Sequence, residues 1–316
     1  MVTIAVIGSG VIGLTCALEL ALDGHTVRVV ADTPPERTTS AVAGALWFPY
    51  HAYPRKRVLG WSAKGLERFT ELAGMPGSGV RLETGVMVHR VERPDLDWAT
   101  GLRVSRPAQR DELPVGAPRG SVLELPLVTM PVYLAWLADR CRESGVAFRT
   151  DRLERISEAP AADLVVIATG LRSGALTGDA ELVPSRGQVV RVTNPPHAPL
   201  THWMVDGDDP TRLTYVMPHG DVVVCGGTDI DGEWGIHPDP SAEAAILRRV
   251  RMAVPALQGA RVLSRAVGLR PGAPEVRLAR ADLDGREVIT CYGHGGAGVT
   301  LSWGCAAEVC RLVSSS

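Results

Sequence analysis

Two glycine clusters and one acid are the residues whose types and spacing point to chemistry. Gly8, Gly10 and Gly13 form a G-x-G-x-x-G run near the start of the chain, and Asp32 follows about 20 residues on. Gly8 allows a tight turn, Gly10 lets backbone approach a pyrophosphate, and Gly13 lets a helix pack on a strand. The free N–H groups at the start of that helix, Val11 and Ile12, then favour phosphate. Asp32 suits the hydroxyls of an unphosphorylated adenosine ribose, which points to FAD or NAD rather than NADP. The second cluster lies near the end, in "CYGHGGAGVTLSWGCA" (291–306), where Gly293, Gly295, Gly296 and Gly298 precede an apolar stretch that reads as a helix. Such density predicts either a tight strand-to-helix turn or a backbone that approaches something closely.

The elements that must position these residues are legible. Val2–Ile7 is a short apolar run of the kind found in a central parallel strand, Val11–Leu22 reads as an amphipathic helix, and His25–Ala31 reads as a second strand ending at Asp32. Further on, Pro131–Ser144 reads as a helix, Val146–Arg149 as a strand, and Leu164–Ala168 as a buried strand ending in Thr169-Gly170. About 100 residues of other material separate the second strand from this late one, whereas a nicotinamide domain would more usually continue with successive βα units.

Composition narrows the class. The 316 residues carry a net charge of −2 with 45% hydrophobic residues, which favours neither nucleic acid nor an anionic membrane as partner. No apolar run reaches the roughly 20 residues of a membrane span, and the start, MVTIAVIGSG, lacks a basic signal-peptide region, so a cytoplasmic location is expected. Six cysteines lack metal-type spacing and read as reduced thiols, although one disulfide between Cys225 and Cys291 stays open. No H-E-x-x-H or cluster of acids indicates a metal. All but Lys56 and Lys64 of the 33 basic residues are arginine, so composition alone selects no functional arginine.

From "TTSAVAGALWFPY" (38–50) onward the pattern becomes specific. In order, VIGSGVIGL, TTSAVAGALWFPY, VIATGLRSGAL, SRGQVVRV, TYVMP, GLRPGAPEVRL and YGHGGAGVTLSWGCA run through nearly the whole chain, which resembles the D-amino-acid oxidase family of FAD enzymes. The resemblance implies an α/β fold with a Rossmann-like, discontinuous FAD-binding domain (1–50, 130–185 and 268–316). It also implies a substrate domain (51–129 and 186–267) with a mixed, antiparallel-rich sheet. Arg81–Val91, Ser185–Val192 and Val222–Gly226 read as strands of that domain, and "DPSAEAAILRRVRMAVPAL" (239–257) as its helix.

The resemblance further implies the site. FAD would be held by Gly8, Gly10, Val11, Ile12, Gly13 and Asp32, by Thr38, Thr39, Ser40, Gly44, Ala45 and Leu46, and by Thr169 and Gly170. Gly293, Gly295, Gly296, Ala297, Gly298, Val299 and Thr300 would meet the flavin, with Arg277 near it. Arg270, in the family's G-[F/L]-R-P motif, would clamp the substrate carboxylate as a planar fork, with the hydroxyl of Tyr215 as second contact. The Gly296 carbonyl would face the amino group. The implied partners are a D-amino acid with a neutral or apolar side chain and molecular oxygen, with a homodimer as the oligomeric possibility. The implied products are a 2-oxo acid, ammonia and hydrogen peroxide, with hydride passing from Cα to flavin N5.

The sequence departs from the family where mammalian members carry a lid tyrosine: Thr211 stands there, in the short segment DGDDPTRL. Ala297 replaces a second family tyrosine. His294 reads as a residue that orders the glycine turn rather than as a base. Other readings stay open: a D-aspartate oxidase, which needs a further pocket cation such as Arg212 or His51; a glycine- or sarcosine-type oxidase; a flavin-binding module without catalysis; and an NAD-dependent dehydrogenase, which leaves 291–306 unexplained.

Overall fold

A computed structural model describes residues 1–315. The chain opens with the expected elements, β1 (Thr3–Ile7), α1 (Val11–Leu22) and β2 (Thr26–Ala31), which runs parallel to β1. But α1 is not amphipathic: it is buried on nearly every face, because it packs between the sheet and other helices. The first turn of α1 follows directly on Gly8, whose φ of 120° only glycine adopts readily. Close packing fixes the other glycine: a Cβ on Gly13 would stand 2.1 Å from the Gly8 carbonyl oxygen.

The first interruption supplies α2 (Arg55–Ala73), β3 (Val80–Val88), β4 (Ser105–Pro107) and β5 (Gly120–Val128). The chain then returns through α3 (Met130–Glu143), β6 (Ala147–Thr150), β7 (Leu164–Ile167) and the short α4 (Ser173–Thr177). β7 pairs in parallel with β1, and β6 with β2. The all-apolar runs of β1 and β7 are central strands covered on both faces, as their composition requires.

The second interruption contributes β8 (Val183–Thr193), β9 (Trp203–Asp206), β10 (Thr214–His219), β11 (Val222–Gly226), β12 (Ile230–Asp231) and α5 (Pro240–Ala253). A long strand, β13 (Val262–Leu283), then leads through β14 (Arg286–His294) to the last helix, α6 (Gly298–Ser314). The strands form a single sheet in the order β4-β5-β3-β9-β10-β11-β8-β13-β14-β7-β1-β2-β6, with β12 beside β8. Its β14-β7-β1-β2-β6 end is parallel; the β10-β11-β8-β13 stretch is antiparallel. The 22-residue β13 crosses from one part to the other, pairing with β8 in its first half and with β14 in its second.

Alternation along the antiparallel strands sorts two environments. Val190, Val192, Val216, Val223 and Cys225 face the cluster that includes Ile246 and Val250 of α5. Val189, Val205, Tyr215, Met217 and Val224 face the opposite way, into the main core beside Ala45, Leu46 and Trp47. The open disulfide is resolved by this topology. All six cysteines are free thiols, and Cys225 on β11 is separated from Cys291 on β14 by β8 and β13. Three inter-strand spacings of about 4.8 Å far exceed the reach of a disulfide.

Candidate active site

A cavity of about 720 Å³ runs from the C-terminal ends of β1 and β2 to the antiparallel strands. At the first end, Gly8, Gly10, Val11 and Ile12 line it with Asp32, Thr38, Thr39 and Ser40. Tight packing excludes side chains at Gly8, where a Cβ would lie 2.3 Å from the Ala168 oxygen, while the same atom on Gly10 would meet only Ser40 Oγ, at 3.3 Å. Gly10 is thus the glycine that leaves backbone open toward the cavity. Ser40 Oγ accepts a hydrogen bond from the Val11 N–H at 3.1 Å, and Thr38 Oγ1 donates to the Pro35 carbonyl at 2.7 Å. Asp32 is held by the Arg172 guanidinium and by the Thr33 hydroxyl at 2.9 Å.

Along the middle lie Gly44, Ala45 and Leu46 on one side and Thr169 and Gly170 on the other. Ala45 takes a φ of 56°, rare for an alanine, and its carbonyl is pinned by the Val128 N–H at 2.9 Å. Thr169 Oγ1 and Ser173 Oγ share a hydrogen bond of 2.9 Å. Gly295, Gly296, Gly298, Val299 and Thr300 bring the turn before α6 and its first helical turn to the wall. Thr300 Oγ1 is occupied by the 48 backbone, accepting from the Phe48 N–H at 3.2 Å and donating to its carbonyl at 2.9 Å.

Four expected positions stand off the wall. Gly13 packs helix on strand, Gly293 takes a φ of 79° within the turn, and Ala297 is buried. Arg277, expected near the flavin, instead pairs with Asp179 at 3.0 Å and Glu181 at 2.6 Å. It points there because β13 has crossed to β14 by this residue, beside the 179–181 turn.

The far end carries the polar groups. Arg270 and Tyr215 both line the cavity. The guanidinium lies over Gly187, where a Cβ would stand 2.5 Å from Nη2, and Nη1 donates to the Thr228 carbonyl at 3.1 Å and to Asp229 Oδ1 at 3.0 Å. The Tyr215 ring is seated on Gly226 and Gly227; a Cβ on Gly226 would lie 1.9 Å from Cζ. Burial raises the Tyr215 phenol above its ordinary value, against the lowering influence of Arg270, so the hydroxyl stays a neutral donor. Gly296 faces Tyr50, at 2.6 Å from where a Cβ would be to Cδ1.

His294 is buried, and desolvation pushes its pKa down to about 4, so it is neutral near pH 7. Its Nε2 has no hydrogen-bond partner among the described residues, and its imidazole lies with the Cys291 and Cys305 thiols within 4.8 Å. Thr211 sits in a tight 3-10 turn capped by Asp209, away from the cavity. Arg212 and His51 are exposed and also stand off the wall.

Sequence reasoning passed over five residues: Tyr50, Gly187 and the exposed Trp234 and Ile236 on the cavity wall, and Asp229 behind it, bonded to Arg270 and Tyr50. Tyr50 ends the TTSAVAGALWFPY segment and was legible as its last residue; Asp229 carried no local signal, because its partners are remote in sequence.

These features fit FAD. The glycine turn, the N-terminus of α1, where the Val11 N–H expected to be free is held by Ser40 Oγ, and the acid at the end of β2 suit an adenosine pyrophosphate. In the turn before α6, Tyr50 packs against Gly296, while a Cβ on Gly298 would meet only His294 Cβ, at 3.9 Å, so the open stretch of wall for a flat ring begins at Gly298.

Comparison with known proteins agrees. A D-amino-acid oxidase of Rubrobacter xylanophilus is 45% identical over 317 residues, covering 98% of this chain and 95% of that protein. One from Streptomyces coelicolor is 41% identical over 318 residues, covering 98% and 96%. The human D-aspartate oxidase is 34% identical over 329 residues, covering 98% and 94%. Among solved structures, glycine oxidase from Geobacillus kaustophilus superposes with a TM-score of 0.81 at 20% identity, covering 100% of this chain and 95% of that one, a likeness of fold. The family model described as FAD-dependent oxidoreductase matches residues 3–312. Because that match runs from β1 into α6, across both halves of the cavity, the chain belongs to the FAD-dependent oxidoreductase family, and its cofactor is FAD.

Proposed function

We propose that the protein oxidises D-amino acids with neutral or apolar side chains, giving a 2-oxo acid, ammonia and hydrogen peroxide at the expense of molecular oxygen and water. The observation that carries this reading is the pairing of Arg270 with Tyr215 at the end of the cavity opposite Asp32, a cationic fork beside a neutral hydroxyl donor. A carboxylate docked there presents the neighbouring Cα to the turn at Gly295 and Gly296. The relatives named D-amino-acid oxidase, at 45% and 41% identity, support the same reaction class.

FAD, when bound, supplies the two-electron oxidation, accepting hydride from the substrate Cα. The residues of the chain supply orientation and charge. Arg270 and Tyr215 fix the carboxylate, and the Gly296 carbonyl accepts a hydrogen bond from the substrate amine. The first turn of α6 presents N–H groups and the positive end of its dipole to negative charge that develops on the wall beside it. No side-chain base is required when the amine enters neutral, in keeping with the uncharged, buried His294. The short β9–β10 connection, tied down where Asp208 accepts from the Arg90 N–H at 2.6 Å, favours an entrance without a long lid.

A nicotinamide-dependent reaction is set aside, because the family match is to FAD enzymes. An acidic-substrate oxidase lacks support at Arg212 and His51, the cations it would need. The six free thiols favour a reducing, cytoplasmic setting, and no helix among the described residues is long and apolar enough to cross a membrane. Homodimer formation is part of the proposal and is checked by light scattering.

Anaerobic titration tests the reaction. The purified yellow protein should bleach with D-alanine and other neutral D-amino acids and not with their L-enantiomers. A yellow protein bleached by neither set would keep the fold and remove the function.

A further inference from the structure

Arg270 does not stand alone in the cavity; an acid neutralises it. Asp229 follows β11 and its side chain is only 10% exposed. Its Oδ1 accepts from Arg270 Nη1 at 3.0 Å and from the Ser185 hydroxyl, and its Oδ2 accepts from the Tyr50 hydroxyl at 2.7 Å. Three donors thus converge on one carboxylate, the Arg270 guanidinium and two hydroxyls. Burial, and after it Asp229, raises the pKa of the Tyr50 phenol, so its hydroxyl stays a donor to Asp229.

We propose that Asp229 is a specificity-determining residue that disfavours D-amino acids bearing a negatively charged side chain. The inference rests on the reading of Arg270 as the carboxylate clamp. Its logic is a charge count in a poorly hydrated site. Arg270 and Asp229 cancel, so a monocarboxylate whose amine enters neutral already brings one negative charge, held by the Arg270 and Tyr215 donors. A second carboxylate on the substrate adds a further negative charge with no cation of the wall to meet it. Of the other arginines on the wall, Arg152 and Arg172 pair with Asp32, and Arg37 lies in the Pro35–Arg37 turn just after it. Arg191, the other cation near Tyr215, is off the wall, as are Arg212 and His51; Asp229 is off it too and acts through Arg270, which it contacts. Like charges repel strongly where water is excluded, and rejecting a partner by an uncompensated charge is a common route to specificity.

A purely structural Asp229, one that only holds Arg270 in place, makes a different prediction, because its loss would penalise all D-amino acids alike. The test is therefore a ratio between two substrates of nearly equal shape, D-asparagine and D-aspartate. In the flavin-loaded wild type, kcat/KM for D-asparagine should exceed that for D-aspartate by at least about tenfold. Asp229→Asn should narrow the ratio by about tenfold, and Asp229→Thr serves the same purpose if the Asn variant does not hold flavin. Ser185→Ala, which keeps the charge, should leave the ratio unchanged. A wild type that takes both substrates equally well, or a ratio that survives both Asp229 substitutions, overturns the inference. Absence of oxidation of D-asparagine and D-alanine alike would instead overturn the reading of the reaction on which it rests.

Discussion

The Arg270 guanidinium lies on Gly187 so closely that a Cβ there would stand 2.5 Å from Nη2 and 2.7 Å from Cζ. The two residues sit on adjacent strands, with Gly187 opposite Gly268 and Arg270 opposite Ser185, so the fork folds back across its own neighbour strand to reach the cavity. Gly187→Ala should push the fork out of line. The expected outcome is a rise in KM for D-alanine of roughly 10- to 100-fold with the flavin spectrum intact. A variant with unchanged KM would show that the guanidinium position does not govern substrate binding.

Removing the fork itself is the stronger change. Arg270→Leu deletes the cation and leaves Asp229 without its ion-pair partner. Carboxylate binding should weaken by roughly 2–5 kcal/mol, read as a loss in kcat/KM. FAD content, measured by absorbance after desalting, should be retained, since Arg270 lies at the end of the cavity opposite Asp32.

At that opposite end, Asp32→Ala should lower FAD affinity by about tenfold, measured by titrating apoprotein with FAD and following flavin fluorescence. Stability of the apoprotein should hardly move. The Asp32–Arg172 pair is 30% and 36% exposed on its two sides, and ion pairs of that exposure contribute little.

Gly13→Val tests the packing of α1 on the sheet. With a Cβ only 2.1 Å from the Gly8 carbonyl oxygen, backbone must move. A fall in the midpoint of thermal unfolding of several degrees, with loss of bound flavin, is expected.

The buried His294 gives a pH dependence with a definite sign. Its pKa is depressed to about 4 in the folded chain, below the roughly 6.5 of an unfolded histidine. The unfolded state therefore binds the extra proton first as pH falls, so the stabilising contribution is complete above pH 6.5 and is lost progressively from there down to about pH 4. Between pH 7 and 5 the chain should lose up to about 2 kcal/mol from this residue. Denaturant midpoints at the two pH values check it, and His294→Asn should flatten the slope.

Much of this architecture was legible in the chain. Val2–Ile7, Gly8, Gly10, Gly13 and Asp32 form a local unit whose parts are neighbours in sequence, so their spacing alone implied strand, turn, helix and acid. The strands at Val222–Gly226 and Leu164–Ile167 and the helix α5 followed from the apolar pattern in the same way. Arg270 and Tyr215 required resemblance, because one arginine among many has no local mark of function. Arg277 shows the limit of that route: its motif carried it to the flavin, while the strand carried it to Asp179 and Glu181.

The sequence by itself pointed to a dinucleotide and to the glycine turn expected to meet it, since backbone conformation and helix polarity are properties of short segments. Only the tertiary structure decided the charge around Arg270. Tyr50, Ser185, Asp229 and Arg270 come from four places in the chain and meet because β13 lies against β8. Whether a buried arginine presents its full charge or half-spends it on a neighbouring carboxylate depends on distances of about 3 Å between residues remote in sequence, and no spacing along the chain encodes them.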